Sequence, residues 1–168
     1  MVVGDCTGVK APHRAVELAK LLPNARFLMA GGGDLLEEMK RTAPDNLTVL
    51  GWQDAATIWA AADITLSTSE NEGMPVALIE AQLAGLPVVA TDVGAVGEVV
   101  INGVTGFVTS TDVVALKERL SELLEDSELR QRMGAAAKAH AEALFAPDQM
   151  LSQHVQLYER LVNEPKRR

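Results

Sequence analysis

Short apolar segments alternate with helical segments along most of this chain, and the alternation limits the folds open to it. Apolar segments bounded mostly by Gly, Pro or Asp predict buried strands at residues 2–3, 26–30, 47–50, 64–66 and 88–90. Helices are predicted between them, at residues 12–22, 34–42, 55–62 and 75–84. Strands joined through helices pair in parallel, because the helix carries the chain back to the same end of the sheet. The sequence therefore predicts an α/β fold, a parallel sheet with helices on both faces.

The last third of the chain is predicted to be mostly helical. After a short strand near residues 105–108, Asp112 is a suitable N-cap for a helix that reaches about residue 125. A second helix is predicted at 127–143, and Pro147 begins a third, at the first helical position, which proline tolerates. The third helix carries one apolar stripe, made of Leu151, Val155, Tyr158 and Val162. Residues 1–163 are thus predicted to form one domain, and the basic tail 164–168 is expected to fray.

The charge and cysteine content exclude several classes of protein. The 168 residues carry a net charge of −8, which argues against binding nucleic acid through a basic patch. No apolar run reaches the ~18 residues of a membrane span, so any membrane contact is expected to be peripheral. No signal peptide is visible at the start, and the single cysteine, Cys6, fits a reducing compartment. These features predict a cytoplasmic protein.

Basic residues are absent from a long central stretch. Between Thr42 and Leu116 there is no Lys, Arg or His, although the stretch holds many Asp and Glu residues. An anionic ligand bound there must rely on backbone N–H groups, on helix N-termini or on cations from elsewhere in the chain.

Two glycine-containing segments are candidates for contact with a phosphate or a sugar. Gly31, Gly32 and Gly33 follow a predicted strand and precede a helix, which allows close approach of a ligand to the backbone, although an ordinary tight turn is equally compatible. Leu36 occupies the third glycine position of the dinucleotide-binding fingerprint, so that motif is not met. The segment from Gly4 to Lys10 has the wrong spacing for a P-loop. Lys10 nevertheless precedes the first helix, where its ammonium can reach a diphosphate or remain solvated.

The segment from Ser67 to Glu80 is the most informative for function. A strand ends at Ser67, a polar loop follows, and Pro75 opens a helix, so the loop lies at the carboxyl ends of the strands, where α/β sheets bind ligands. Glu72 lies in the loop and Glu80 in the helix, five residues past Pro75 and ~7 to 8 Å further along the axis. These carboxylates are predicted to accept hydrogen bonds from hydroxyl groups at the two ends of a nucleotide diphosphate sugar, the sugar and the ribose.

Other interpretations of these carboxylates are open. A glycosidase pair would have a similar separation, and Glu72 would also suit an ordinary loop. Glu80 lies among apolar neighbours, which predicts that it is buried with a partner. Glu70 is expected to be exposed and without a role.

Several motifs in order carry a resemblance to a known family. They comprise Glu72-Gly73-Met74-Pro75, Ile79-Glu80-Ala81, residues 84–91, Gly94, Glu98-Val99-Val100 and residues 102–108. Over about residues 2–162 the chain resembles the family-4 retaining glycosyltransferases. The resemblance implies a GT-B fold, in which two Rossmann-like domains face each other, and it covers only the C-terminal, donor-binding domain. That domain is a Rossmann-like three-layer structure with a helical C-terminus.

The resemblance also implies roles for individual residues. Glu72 would face the donor sugar and Lys10 the diphosphate, as catalytic groups, while Glu80 would hold the ribose. The other substrate-binding candidates are Gly32, Gly33, Gly51, Trp52, Gly73, Met74 and Pro75, with Gly51 and Trp52 near the base. Asp5 stands where the family usually has an Arg, and Arg14 is a candidate substitute. No metal or other cofactor is expected.

The function predicted from these residues is donor binding in a hexosyltransferase. The ligand would be a UDP- or GDP-sugar, and the partner would be an N-terminal acceptor domain of the same enzyme. Without that domain the chain is expected to be inactive. The alternatives are half of a sugar-nucleotide epimerase and a non-enzymatic nucleotide-sugar-binding module.

Overall fold

A computed structural model of the chain describes residues 2–3 and 6–163, and the side chains from residue 6 onward except that of Pro147. Asp5 and the tail 164–168 lie outside the described residues, so the predictions made for them stay predictions. The six strands are β1 (Val2–Val3), β2 (Phe27–Ala30), β3 (Leu47–Gly51), β4 (Thr65–Ser67), β5 (Val88–Thr91) and β6 (Gly106–Thr109). They form one sheet in the order β3-β2-β1-β4-β5-β6, and every pairing is parallel. The predicted α/β class is confirmed.

The helices follow the predicted positions with small changes at their ends. They are α1 (Pro12–Leu21), α2 (Leu36–Thr42), α3 (Ala55–Ala60), α4 (Val76–Leu83), α5 (Val96–Val99), α6 (Val113–Glu125), α7 (Ser127–Phe145) and α8 (Pro147–Asn163). The sequence did not predict α5 or a 3-10 helix at Gly8–Lys10. Both are too short to show a helical period.

Alternate residues of the strands face two different cores. In β2, Phe27 and Met29 belong to the larger hydrophobic cluster, which α1 and α6 cover, whereas Ala30 belongs to a cluster with Ile58 of α3 and Ala81 of α4. This alternation follows from the two-residue period of a strand. It confirms that helices lie on both faces of the sheet.

Helix α8 differs from the others because every residue from Asp148 to Asn163 is exposed. Its large apolar side chains are Met150, Leu151, Val155, Leu157, Tyr158, Leu161 and Val162. At ~100° per residue they fall within an arc of about 160° on one side of the helix. The predicted apolar stripe is therefore present, and none of the described residues buries it. Among the described helices, none has the length and apolar character that crossing a membrane requires.

Ala11, between the 3-10 helix and α1, has a left-handed backbone with φ 44° and ψ 54°. It is the one residue other than glycine with a positive φ in the described part of the chain. A Cβ in this conformation costs about 1 to 2 kcal/mol, more than the ~0.5 to 1 kcal/mol that glycine loses in chain entropy. We therefore expect Ala11→Gly to raise the free energy of unfolding by ~0.5 to 1 kcal/mol, measured by urea denaturation.

The matched control for this prediction is Ala135→Gly. Ala135 is exposed in the middle of α7, where glycine is expected to lower the free energy of unfolding by ~1 kcal/mol. A loss of stability in Ala11→Gly equal to that of the control would contradict the prediction.

Candidate functional site

The predicted site residues lie in the segments that follow the strands at the carboxyl edge of the sheet. The strand order reverses at β1, because the chain first adds β2 and β3 on one side of β1 and then crosses back to add β4 on the other side. A reversal of this kind opens a crevice at the ends of the two central strands. The segment 6–11 after β1 and the loop 68–75 after β4 therefore meet there.

Lys10 and Glu72 are in direct contact although 62 residues separate them in the chain. The Lys10 Nζ lies 2.8 Å from Glu72 Oε1 and 2.9 Å from Oε2, so the ammonium donates to both oxygens. The Lys10 side chain is 33% exposed and that of Glu72 is 9% exposed. The two residues singled out as catalytic candidates thus form one partly buried ion pair, and Lys10 is not an isolated solvated lysine.

A set of polar contacts joins the segment around Lys10 to the loop after β4. The Thr68 hydroxyl donates to the Lys10 carbonyl at 3.0 Å, and the Glu70 N–H donates to the Val9 carbonyl at 2.7 Å. Arg14 donates to the Thr68 carbonyl at 2.9 Å and forms an ion pair with Glu70. Glu70 is therefore exposed as predicted, but it has a partner. The Arg14 guanidinium thus joins α1 to the loop after β4.

The loop after β5 fixes the backbone of Glu72. The Glu72 carbonyl accepts from Ala95 N–H at 3.4 Å, and a Cβ added at Gly94 would lie 1.7 Å from that carbonyl oxygen. The Thr91 hydroxyl donates to the Ser69 carbonyl at 2.6 Å, and Ser69 Oγ donates to Glu72 Oε1, also at 2.6 Å. The sequence alone indicates no role for Ser69, Thr91 or Gly94, because only their positions in space reveal these contacts.

Glu80 is exposed, which corrects the expectation that it is buried. The buried side of α4 carries Leu78, Ala81 and Gln82, and Glu80 lies on the opposite side with the exposed Val76. The expectation of a partner holds, since the indole N–H of Trp59 lies 3.4 Å from Glu80 Oε2.

Helix α3 positions Trp59, which is only 6% exposed. Asp54 caps this helix by accepting from the backbone N–H of Thr57 at 2.9 Å. That hydrogen bond, with a second one from the Thr57 hydroxyl, lowers the pKa of Asp54 below its ordinary value. Asp54 thus caps the helix that carries the Trp59 indole beside Glu80.

The glycine segment after β2 is packed tightly by its neighbours. A Cβ at Gly32 would lie 2.2 Å from Trp52 Nε1, and a Cβ at Gly33 would lie 2.5 Å from the Cys6 carbonyl oxygen. Gly31 N–H donates to the Gly51 carbonyl at 2.9 Å, which joins the ends of β2 and β3. The Trp52 side chain is 77% exposed and covers Gly32. One exposed aromatic side chain, Trp52, therefore lies on the β3 side of the site.

The start of α4 completes the site. No side chain caps this helix among the described residues, and its first turn holds no acidic residue. Gly73 and Met74 precede it and are exposed, whereas Pro75 is buried. A helix N-terminus carries a partial positive charge, which in this stretch without basic residues attracts an anion. The described residues contain no group of three or more His, Cys, Asp or Glu placed to hold a metal ion.

A protein family and several known proteins are similar to this chain in sequence. The family profile "Glycosyl transferases group 1" matches residues 1–140. The chain is 30% identical over 150 residues to N-acetyl-alpha-D-glucosaminyl L-malate synthase of Bacillus anthracis, covering 85% of this chain and 39% of that protein. It is 37% identical over 134 residues to the GDP-mannose-dependent monoacylated alpha-(1-6)-phosphatidylinositol monomannoside mannosyltransferase of Corynebacterium glutamicum, covering 72% and 35%.

Solved structures of glycosyltransferases and related enzymes have the same fold as this chain. HepE of Anabaena in complex with UDP-glucose superposes with a TM-score of 0.81 at 25% identity, covering 97% of this chain and 49% of that one. Sucrose-phosphate synthase from Thermosynechococcus elongatus gives a TM-score of 0.86 at 25% identity, covering 96% and 45%. The chain spans less than half the length of each of these proteins. It belongs to the group 1 glycosyltransferases, the GT-B, family-4-like group that its motifs resemble.

Proposed function

We propose that this chain is the donor-binding domain of a retaining glycosyltransferase and that its ligand is a nucleotide diphosphate sugar. The contact between Lys10 and Glu72, beside the uncapped start of α4, is the observation that carries the proposal. It brings one cation, one carboxylate and a helix N-terminus together beside a stretch of the chain, between Thr42 and Leu116, that has no basic residue of its own. Relatives support the ligand class, since one is named as GDP-mannose-dependent and one neighbour is in complex with UDP-glucose.

Each group has a distinct task in this proposal. Lys10 and the first N–H groups of α4 stabilise the diphosphate as it departs, which is where negative charge develops. Glu72 accepts a hydrogen bond from the donor sugar, and Glu80 binds the ribose hydroxyls. The base lies near Gly51 and the exposed indole of Trp52. The backbone at Gly32, Gly33 and residues 73–75 approaches the sugar and the diphosphate closely.

The acceptor would be held by a second domain that this chain does not contain. The relatives are more than twice as long as the part that this chain matches, which leaves length for such a domain. The exposed apolar side of α8 supports the proposal, because it is a surface that another part of a longer protein would cover.

We propose that the enzyme acts in the cytoplasm. A nucleotide sugar would be its ligand there, and a reducing compartment fits the single cysteine, Cys6. The epimerase alternative finds no support among the named relatives.

Titration calorimetry tests the proposed function directly. UDP-glucose and GDP-mannose, with UDP and GDP, are titrated into the chain and into Lys10→Met. We expect at least one nucleotide sugar to bind and Lys10→Met to weaken it by ~10- to 150-fold, the loss of a charge-assisted hydrogen bond. Lys20→Met on the exposed side of α1 is the matched control and should bind like the unmodified chain. Absence of binding to a broader panel of nucleotide sugars at millimolar concentration would contradict the proposal.

The isolated chain is expected to show no turnover, because the acceptor domain and its groups are absent. Incubation with each nucleotide sugar, followed by chromatography for free nucleoside diphosphate, should show no release above the rate without protein. Release at ~1 per second or faster, an ordinary enzymatic rate, would show instead that the chain is a complete enzyme.

A further inference from the structure

Buried hydroxyl groups line the loop behind Glu72. Ser67, Ser69 and Thr91 are 6%, 2% and 0% exposed, and they lie where β4 and β5 end. A hydroxyl removed from water is costly unless it finds a hydrogen-bond partner. The Ser69 hydroxyl finds Glu72 Oε1 at 2.6 Å, and its backbone carbonyl accepts from Thr91. Ser69 is thus fixed at both its main chain and its side chain.

The direction of these hydrogen bonds follows from the chemistry of the groups. A carboxylate paired with an ammonium accepts hydrogen bonds and has no proton to donate, so the Ser69 proton points at Glu72. The Ser67 and Ser69 oxygens are 3.3 Å apart. Since the Ser69 proton is already used, Ser67 must donate to Ser69. The hydroxyls form a one-way chain that ends on the carboxylate.

The two oxygens of Glu72 are therefore not equivalent. Oε1 accepts from Lys10 at 2.8 Å and from Ser69 at 2.6 Å, whereas Oε2 accepts, within the described part of the chain, from Lys10 alone, at 2.9 Å. Oε2 thus keeps the greater capacity to accept from a ligand. A lysine side chain is flexible and can turn toward a phosphate, but the buried serine cannot follow. When Lys10 shifts, Ser69 still holds the plane of the carboxylate.

We propose that Ser69 is a positioning residue that aims Glu72 Oε2 at a hydroxyl of the donor sugar. The inference rests on the proposed function, in which Glu72 contacts the sugar, and adds the group that orients it. Ser69 does not touch the ligand. Replacing Ser69 should therefore weaken binding of a nucleotide sugar but not of its nucleoside diphosphate. A general loosening of the site would weaken binding of both ligands.

The test compares Ser69→Ala with Ser67→Ala, two buried serines of which only Ser69 contacts Glu72. Calorimetry measures the dissociation constants of UDP-glucose and UDP, and of GDP-mannose and GDP, for each variant. We expect Ser69→Ala to weaken the nucleotide sugar by ~5- to 30-fold and the nucleoside diphosphate by less than about 2-fold. Ser67→Ala should weaken the nucleotide sugar by less than about 3-fold. Equal weakening of both ligands by Ser69→Ala, or no weakening of either, would overturn the inference.

A measurement without ligand separates this inference from the proposed function. The unfolding midpoint is recorded for Ser69→Ala in the unmodified chain and in Glu72→Met, which has no carboxylate to accept from the serine. Ser69→Ala should lower the midpoint more in the unmodified chain than in Glu72→Met. If Ser69→Ala lowered the unfolding midpoint equally in the two backgrounds, the hydrogen bond between Ser69 and Glu72 would be contradicted, and the inference with it. If the midpoints behave as expected but no nucleotide sugar binds, the proposed function fails while the contact stands.

Discussion

Glu72→Gln is expected to weaken binding of a nucleotide sugar by ~10- to 150-fold and to leave binding of the nucleoside diphosphate unchanged or slightly tighter. The neutral amide loses the charged hydrogen bond to the sugar. It also releases Lys10 from its ion pair, so that the ammonium has more freedom to meet a phosphate. Glu80→Gln is expected to weaken both ligands alike by a similar factor, because every donor carries the ribose. Calorimetry with UDP-glucose and UDP, or GDP-mannose and GDP, separates the two patterns.

Glu70→Gln is the control in the same loop. Its side chain is 53% exposed and pairs with Arg14, and exposed ion pairs of this kind contribute ~0 to 1 kcal/mol. It should change binding of either ligand by less than about 3-fold. Glu80 is exposed, so Glu80→Gln should leave the unfolding midpoint close to that of the unmodified chain. If the Glu72 and Glu80 variants weaken both ligands equally, the division of roles between them is wrong.

The contact between Lys10 and Glu72 shows where prediction from the sequence ends. The motifs identified each residue separately, because a lysine before the first helix and a glutamate before Pro75 are local features. Their ion pair depends on β1 and β4 being neighbours, although β2 and β3 lie between them in the chain. Hydrophobic periods specify which segments are strands but carry no information on this order.

The prediction that Glu80 is buried is wrong for a different reason. Its immediate neighbours in the chain are apolar, but the helical period decides which residues of a helix are buried. In α4 the buried face passes through Leu78 and Ala81, which leaves Glu80 on the far side. The same period identifies Gln82, four residues after Leu78, as the polar residue on the buried face.

Gly94→Ala is expected to lower the free energy of unfolding by about 2 to 4 kcal/mol and to weaken the nucleotide sugar at least ~10-fold. The new Cβ would lie 1.7 Å from the carbonyl oxygen of Glu72, a backbone atom that cannot turn away as a side chain can. The φ of 53° at Gly94 adds strain for any residue with a Cβ. The loop has little room to retreat, because Thr91 and Val96 on either side of it are both 0% exposed.

Gly97→Ala provides the matched control, three residues further along. A Cβ at Gly97 would meet no atom within 4 Å, and the residue lies within α5, where alanine is favoured over glycine by up to ~1 kcal/mol. Binding should be unchanged and stability equal or slightly higher, as measured by calorimetry and urea denaturation. If Gly94→Ala behaved like Gly97→Ala, the loop after β5 would not fix Glu72. The orientation of the carboxylate would then depend on Lys10 and Ser69 alone.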